Sequence, residues 1–531
     1  MRLRTKRITA IAAIGIAVVM TFTSVAAPVK VDGGLVEGTV EDGIAVYKGI
    51  PFAAPPVGDL RWRPPQPVKS WDGFLKADKY APACPQMQLN IPGFPKVETS
   101  EDCLYLNVWT PAKSSAENLP VMVWIYGGAF VMGSTSMPVY SGEQLAKMGV
   151  IIVSIAYRVG PLGFLTHPEL TAESERKVSG NYGLLDQIAG LKWVQQNIKA
   201  FGGNPNCVTI FGESAGGISV SMLAASPLTK GLFQRAICQS GGSFSPARTK
   251  KESDSMQLLA GAESAGVEFA KRLGANSLTE LRQVSPEKWQ QDPAAQMGGL
   301  WPVIDGYVIV DDQYKLYEEG KYNDVPVLIG TNSDEGSMFA MFVRSIAPEQ
   351  YEKNARDLFG PFAEKVLELY PGKTQDQTFR AMADIFRDAW FAWPTWAWAK
   401  LQSRTGTSKV FVYYFDQKQH PSPFSAFFKS DGAPHGSEIP YVFKHLDQNP
   451  GTQFTGEDKK LSEMMVTYWT NFAKNGNPNG PGLPEWPVFK DGEPTVLYLK
   501  SEPHTGPIPN LDKLTLMDNY FAWKRTSGDS K

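Results

Sequence analysis

Cysteine and histidine are scarce in this chain of 531 residues, which holds four Cys and five His. Four cysteines are too few to build a disulfide scaffold of this size, so the fold has to rest on an apolar core. Charge of one sign is also lacking. Lys and Arg number 52 against 54 Asp and Glu, for a net charge of −2. No dense basic run occurs beyond the first seven residues, so a nucleic-acid surface is excluded. Low-complexity linkers and repeats with a period of 20 to 50 residues are absent, which disfavours solenoids and tethered modules. With 43% hydrophobic and 20% charged residues, the chain is too apolar to be disordered.

The N-terminus carries Arg2, Arg4, Lys6 and Arg7, followed by an uncharged, largely apolar run from Ile8 to Ala27. That order reads as an export signal, and the small residues Ser24 and Ala26 place its cleavage site near Ala26. The expected organisation is a signal peptide over 1–26 and one domain over 27–531, secreted or periplasmic. A run of about 20 residues is also long enough to be retained as an anchor. No later apolar run is that long, so once the signal is cleaved no membrane partner is expected. Nothing in the sequence fixes the oligomeric state.

Short runs rich in β-branched residues occur at 121–125, 150–157, 208–211, 236–239, 325–329 and 410–415. They lack polar alternation, as expected of strands covered on both faces of a mainly parallel sheet. A helical pattern at 186–198 and others lie between them, which is the α/β signature. The charged stretch from about Ser245 to Gly298 and the aromatic-rich one from Pro348 to Arg404 are expected to be helical caps over the carboxyl edge of the sheet, where ligands bind in such folds.

The chemistry enters at Gly212-Glu213-Ser214-Ala215-Gly216, which follows the apolar run 208–211 and precedes a small-residue helical pattern. A strand, a tight turn and a helix present a serine hydroxyl alone at a sharp bend, with glycines two residues to either side because strand and helix nearly touch. Ser214 is therefore the candidate nucleophile. Attack on a carbonyl builds an oxyanion that needs backbone N–H donors. Ala215 supplies one, and Gly128 and Ala129, in the Gly127-Gly128-Ala129-Phe130 turn after the strand at 121–125, are candidates for the rest.

A general base has to come from His167, His420, His435, His445 or His504. His435 sits in Gly432-Ala433-Pro434-His435-Gly436 after the strand at 410–415 and fits the hydrolase order of nucleophile, acid, histidine. His167 precedes the serine and does not. The acid that orients the imidazole must lie between Ser214 and His435, and spacing leaves Asp334 and Glu335 equally eligible.

Together these motifs resemble the type-B carboxylesterase and cholinesterase-like family of α/β-hydrolases, in its bacterial, secreted, para-nitrobenzyl-esterase-like form. The likeness extends through Gly49-Ile50-Pro51-Phe52, Arg61, Glu101-Asp102-Cys103-Leu104-Tyr105-Leu106-Asn107, Gly180-Asn181-Tyr182-Gly183-Leu184-Leu185-Asp186-Gln187 and Trp486-Pro487. It implies an α/β-hydrolase fold, a large mainly parallel central sheet with helices on both faces and cap insertions. It further implies Glu335 as the acid, a Cys84–Cys103 disulfide, ion pairs Arg61–Glu101 and Arg158–Asp186, and Glu213 and Ser240 as residues beside the triad. Cys207 and Cys238 match no disulfide of the family and are expected to be free thiols.

The expected reaction is hydrolysis of a small-molecule carboxylic ester through an acyl-enzyme, with no metal and no organic cofactor. A pKa near or below 7 is expected for the base. No tryptophan lies between Cys84 and Cys103, where cholinesterases hold a quaternary ammonium, so choline esters are not expected as substrates. Met297, Gly298, Gly299 and Leu300 stand where cholinesterases place bulky aromatics, which predicts a roomier acyl pocket, with Val131, Met338 and Phe339 lining other walls. An amidase or carbamate hydrolase with the same triad, or a non-catalytic binding module of this fold, are the alternatives.

Overall fold

In the computed structural model, residues 24–88, 96–246, 257–293, 300–418, 427–448 and 453–527 are described. Their largest sheet has twelve strands. Seven run parallel side by side, in the order Ile151–Ile155, Leu119–Ile125, Gly203–Glu213, Arg235–Gln239, Val327–Asn332, Val410–Phe415 and Thr495–Leu499. Antiparallel strands extend both edges, among them Ile44–Pro51 and Tyr105–Thr110 on one side and His504–Pro507 on the other. The missing polar alternation has the expected cause. Every residue of Ile151–Ile155 and of Val327–Asn332 is buried, so both faces of these strands are covered.

The chain leaves Leu119–Ile125 for Ile151–Ile155 on one side and returns to Gly203–Glu213 on the other. This reversal opens a crevice at the carboxyl ends of Leu119–Ile125 and Gly203–Glu213, the position at which doubly wound sheets bind ligands. The Gly127–Phe130 turn and Ser214 follow those two strand ends directly. Topology alone thus puts the candidate oxyanion donors beside the candidate nucleophile.

Strand positions follow the sequence reading with shifted ends. The run at 208–211 is the inner part of an eleven-residue strand, and the strand expected at 325–329 lies at Val327–Asn332, ending on two polar residues. The helix expected from Asp186 begins at Tyr182. Of the first cap, Leu259–Arg272, Leu278–Gln283 and Pro286–Gln290 are helical; of the second, Pro348–Phe359, Ala363–Leu369, Gln375–Phe386 and Trp393–Thr405. A π-helical stretch, Arg387–Ala392, joins the last two.

Cross-links tie these pieces to the sheet. Cys84 and Cys103 form a disulfide, and Cys207 and Cys238 are free. Arg61 makes a two-point contact with Glu101, at 2.6 Å each, and donates to the Arg282 and Val284 carbonyls, fastening the first cap. Arg158 and Asp186 pair at 2.7 Å through two contacts with both side chains fully buried. Burial pushes the Asp186 carboxyl above its ordinary range even with the guanidinium beside it. Such a pair adds little net stability, and its worth lies in fixing where the strand meets the helix.

Of the N-terminal segment, residues 1–23 lie outside the described residues. Ser24–Val25 pairs with Thr39–Val40 at the sheet edge, and the Ala26 N–H donates to the Gly38 carbonyl at 3.0 Å. The cleavage point expected near Ala26 therefore falls at this edge.

Candidate active site

Ser214 stands between the end of Gly203–Glu213 and the helix Ala215–Ala225, at φ 55° and ψ −125°. A non-glycine residue at that φ is strained, and such strain persists only where the surroundings over-determine it. Here they do. A Cβ on Gly212 would lie 2.6 Å from the Gly216 carbonyl group, and a Cβ on Gly216 would collide with the Ile125 carbonyl. The Ser214 N–H is held by the Gln239 carbonyl at 3.0 Å. The pentapeptide's glycines are thus required by close approach, as the sequence reading assumed.

The turn that faces this elbow is strained as well. Gly128, Ala129 and Phe130 all have positive φ, at 115°, 53° and 60°. It is closed by Val131 and Met132 N–H groups donating to the Gly128 carbonyl at 3.0 and 3.1 Å, and by Gly160 N–H donating to Phe130 at 2.6 Å. A Cβ on Gly127 would sit 2.9 Å from the Ser214 Cβ, so the turn lies against the serine itself. Among the described residues, the N–H groups of Gly128, Ala129 and Ala215 have no hydrogen-bond acceptor.

After two strands that follow in the same half of the sheet, Val327–Asn332 and Val410–Phe415, the chain brings His435 Nδ1 to 2.6 Å from Glu335 Oε2. Glu335 is fully buried, and its Oε1 accepts from Ser240 Oγ and the Asn332 N–H, each at 2.6 Å. Of the two acids that spacing left open, Glu335 therefore holds the imidazole. The other ring nitrogen, Nε2, is buried and makes no hydrogen bond among the described residues; Glu213 Oε1 lies 3.3 Å from it. Glu213 is the neighbour of Ser214, so the unpaired side of the imidazole is turned toward the elbow. A Ser214–His435 hydrogen bond is not formed in this substrate-free arrangement, in which catalytic contacts are commonly long.

A third carboxylate completes the surroundings, and sequence reasoning missed it. Glu438 is fully buried, with Oε2 accepting from Asn332 Nδ2 at 2.6 Å and Oε1 from Gln239 Nε2 at 3.0 Å. Gln239 Oε1 in turn accepts from Trp469 Nε1 at 3.1 Å. The available signal was the pair of amides, Gln239 and Asn332, ending two strands with apolar centres.

Burial of three acids around one imidazole sets the proton affinities. Burial first, and then the charges of Glu438 and Glu335, push Glu213 up to about 8 against the pull of the His435 cation. Burial lowers His435, but the Glu213 charge and then the Glu335 hydrogen bond outweigh it and lift the imidazole to about 9. The direction of this shift runs against the expected pKa near or below 7. The base form required for catalysis is the neutral one, so its fraction grows as pH rises through this raised value. We expect kcat/KM to keep increasing above the ordinary imidazole range, and Glu213→Gln, which removes the leading negative charge, to move that limb to lower pH. Profiles of kcat/KM against pH for the two proteins check this; a wild-type plateau already reached at about pH 6 would refute it.

The pocket residues divide. Phe339 stands 5.5 Å, ring to ring, from His435. Val131 is buried right after the Gly127–Phe130 turn, and Met338 is half-buried next to Phe339. Met297, Gly298 and Gly299 lie outside the described residues. Two aromatic neighbours of the His435–Phe339 pair were not anticipated. Phe391 packs 4.6 Å from the His435 ring, and Trp390 5.3 Å from Phe339, both on the π-helical stretch. A π turn inserts a residue into the helical repeat and so re-aims side chains, which no hydrophobic period reveals. The other histidines with described surroundings are elsewhere: His167 Nδ1 accepts from Glu169 N–H, His445 Nε2 contacts the Ser141 carbonyl, and His504 stacks on Tyr498. His420 lies outside the described residues.

A family model described as "Carboxylesterase family" matches residues 25–516. The para-nitrobenzyl esterase of Bacillus subtilis is 39% identical over 490 residues, covering 88% of this chain and 94% of that protein. The fumonisin B1 esterase of Sphingopyxis macrogoltabida is 38% identical over 470 residues, covering 86% and 83%. A solved structure of a PNB esterase superposes with a TM-score of 0.79 at 35% identity, over 92% of this chain and 99% of its own. The chain belongs to the carboxylesterase family and is a carboxylic ester hydrolase of the α/β-hydrolase fold.

Proposed function

We propose that Ser214 is the nucleophile of this esterase, His435 its general base and acid, and Glu335 the carboxylate that orients and stabilises the imidazolium. The observation that carries the reading is the 2.6 Å Glu335–His435 contact, with the open face of the ring beside the strained Ser214 elbow. Ser214 Oγ attacks the ester carbonyl while Nε2 takes its proton. The N–H groups of Gly128, Ala129 and Ala215 bind the oxyanion. His435 then hands the proton to the leaving alcohol, and water attacks the acyl-enzyme by the same route.

The substrate side of the proposal rests on the walls. Phe339 and Phe391 pack against His435, with Trp390 against Phe339, while Gly298 and Gly299 replace bulk on the 297–300 segment. That combination favours apolar esters with acyl groups larger than acetyl, and aryl-bearing esters of the kind named for the para-nitrobenzyl relative. No tryptophan lies between Cys84 and Cys103, which argues against choline esters. A panel of 4-nitrophenyl esters from acetyl to branched and benzoyl acids, with matched amides, tests this. The expected result is a rise in kcat/KM of about 15- to 60-fold from acetyl to a four- or five-carbon acyl group, since each of the two or three added methylenes contributes about 0.8 kcal/mol when buried. A sharp preference for acetyl would overturn it. Export completes the reading. The Arg2-to-Ala27 pattern supports a cleaved signal, the disulfide supports an oxidising compartment, and no helix among the described residues is long and apolar enough to cross a membrane.

A further inference from the structure

The loops that carry Glu335 and His435 are separate in sequence, and each is held by only one strand end. Val327–Asn332 delivers Glu335 three residues later, whereas His435 is reached twenty residues after Val410–Phe415 ends. The chain before His435 is partly at the surface: Phe427 is 61% exposed and Lys429 and Asp431 are exposed, while Phe428, Ala433 and Pro434 are buried. An imidazole at the end of such a loop needs something to hold it within a few tenths of an ångström of its carboxylate.

Asp334, the acid set aside in favour of Glu335, is 5% exposed. Its Oδ2 accepts from Ser430 Oγ at 2.6 Å and from the Asp431 N–H at 2.9 Å. Ser337 Oγ donates toward Oδ1 and Oδ2 at 2.6 and 2.8 Å, and the Ser337 N–H reaches Oδ1 at 3.3 Å. Arg380, on the cap helix Gln375–Phe386, pairs with Oδ1 at 3.2 Å and also bonds Ser337 Oγ and Asp431 Oδ2. Backbone contacts continue the seam. Asp334 N–H donates to the Ala433 carbonyl and Ala433 N–H to Ser333 Oγ, both at 2.9 Å, and Asn332 Nδ2 donates to the Pro434 carbonyl at 2.8 Å. The seam ends at Asp334 on one loop and at Pro434 on the other. The next residue of each is one half of the Glu335–His435 pair.

We propose that Asp334, clasping Ser430, Asp431 and Arg380, is a positioning residue that sets the distance between Glu335 and His435 and so the alignment of the base toward Ser214. This rests on the triad reading above. A carboxylate suits the task because all its partners are donors, five counting the guanidinium, and a charged acceptor makes stronger bonds to them than an amide would. Loss of the clasp lets the base loop drift while leaving the ester-binding walls in place.

The test uses the full-length protein with Asp334→Ala, Ser430→Ala and Arg380→Ala, a 4-nitrophenyl ester as substrate and a fluorophosphonate to count reactive sites. For Asp334→Ala we expect kcat per titrated site to fall about 100-fold with KM within about threefold, because a misplacement near 1 Å costs about that much. We also expect the limb of kcat/KM to move to lower pH, since the Glu335 contact helps raise His435 among the facing acids Glu213, Glu335 and Glu438. Ser430→Ala, which keeps the carboxylate and its other donors, should show the same signature at roughly a tenth of the size. It supplies the answer if Asp334→Ala does not fold. A clasp that only stabilises the fold would reduce the number of titratable sites and leave turnover per site and the limb unchanged, and that result overturns the proposal. Wild-type protein that is not titrated at Ser214 would instead overturn the triad reading, so the two failures are distinguishable.

Discussion

Ser214→Ala is expected to lower kcat by about 10⁴-fold or more, with the protein folded and KM changed little. The magnitude follows from what remains. The oxyanion donors and pocket still bind ester and polarise its carbonyl, but no acyl-enzyme forms and water has to attack without a nucleophile fixed at the elbow. The substitution leaves the fold intact because Oγ does not cap the helix Ala215–Ala225, and alanine meets the same backbone demand at φ 55° as serine does. Steady-state turnover together with circular dichroism checks the pair of statements. Turnover within tenfold of wild type in a folded variant would refute the assignment.

Glu335→Gln is expected to cost nearly as much, about 10³- to 10⁴-fold in kcat, although it is isosteric. The reason lies in which oxygen does what. Oε1 accepts from Ser240 Oγ and the Asn332 N–H. A glutamine therefore keeps its carbonyl oxygen there and turns its amide NH₂ toward His435 Nδ1, where Oε2 lies now. Nδ1 must then accept, and the single proton of the neutral ring moves to Nε2. That is the nitrogen that has to be bare to deprotonate Ser214. The charge that stabilises the imidazolium is lost at the same time. Ser240→Ala combined with Glu335→Gln frees one constraint on the amide orientation, so the double variant is expected to recover part of the loss. A Glu335→Gln enzyme within tenfold of wild type would show that another group orients the ring.

Much of this site is legible in the sequence because its parts are local. The elbow needs Gly212 and Gly216 two residues either side of Ser214, and the oxyanion turn needs small residues directly after a strand; both demands leave a short pattern. Glu335 is different. Spacing cannot separate it from Asp334, since both lie in the same loop, and the choice came from resemblance. In the structure the two adjacent carboxylates divide the work, one on the imidazole and one on the loop that carries it.

What the sequence hides depends on convergence. Glu213, Glu335 and Glu438 come from three distant segments, and only their meeting around His435 raises the imidazole to about 9. A pKa near 7, drawn from the residue type alone, misses this because it counts no neighbours. Phe391 and Trp390 are hidden for another reason. They reach His435 and Phe339 from the π turn of Arg387–Ala392, whose residues look like any aromatic helix in the one-dimensional pattern.

The claim on which the account depends is that His435 activates Ser214 for covalent attack. Its most direct test is mass spectrometry of the protein after reaction with a fluorophosphonate, with peptide mapping, for wild type and His435→Ala across pH. The account predicts one adduct per chain on the peptide bearing Ser214, forming faster as pH rises toward about 9, and slowed by orders of magnitude in His435→Ala. An adduct on another residue, or one on Ser214 that forms equally fast without His435, would contradict it.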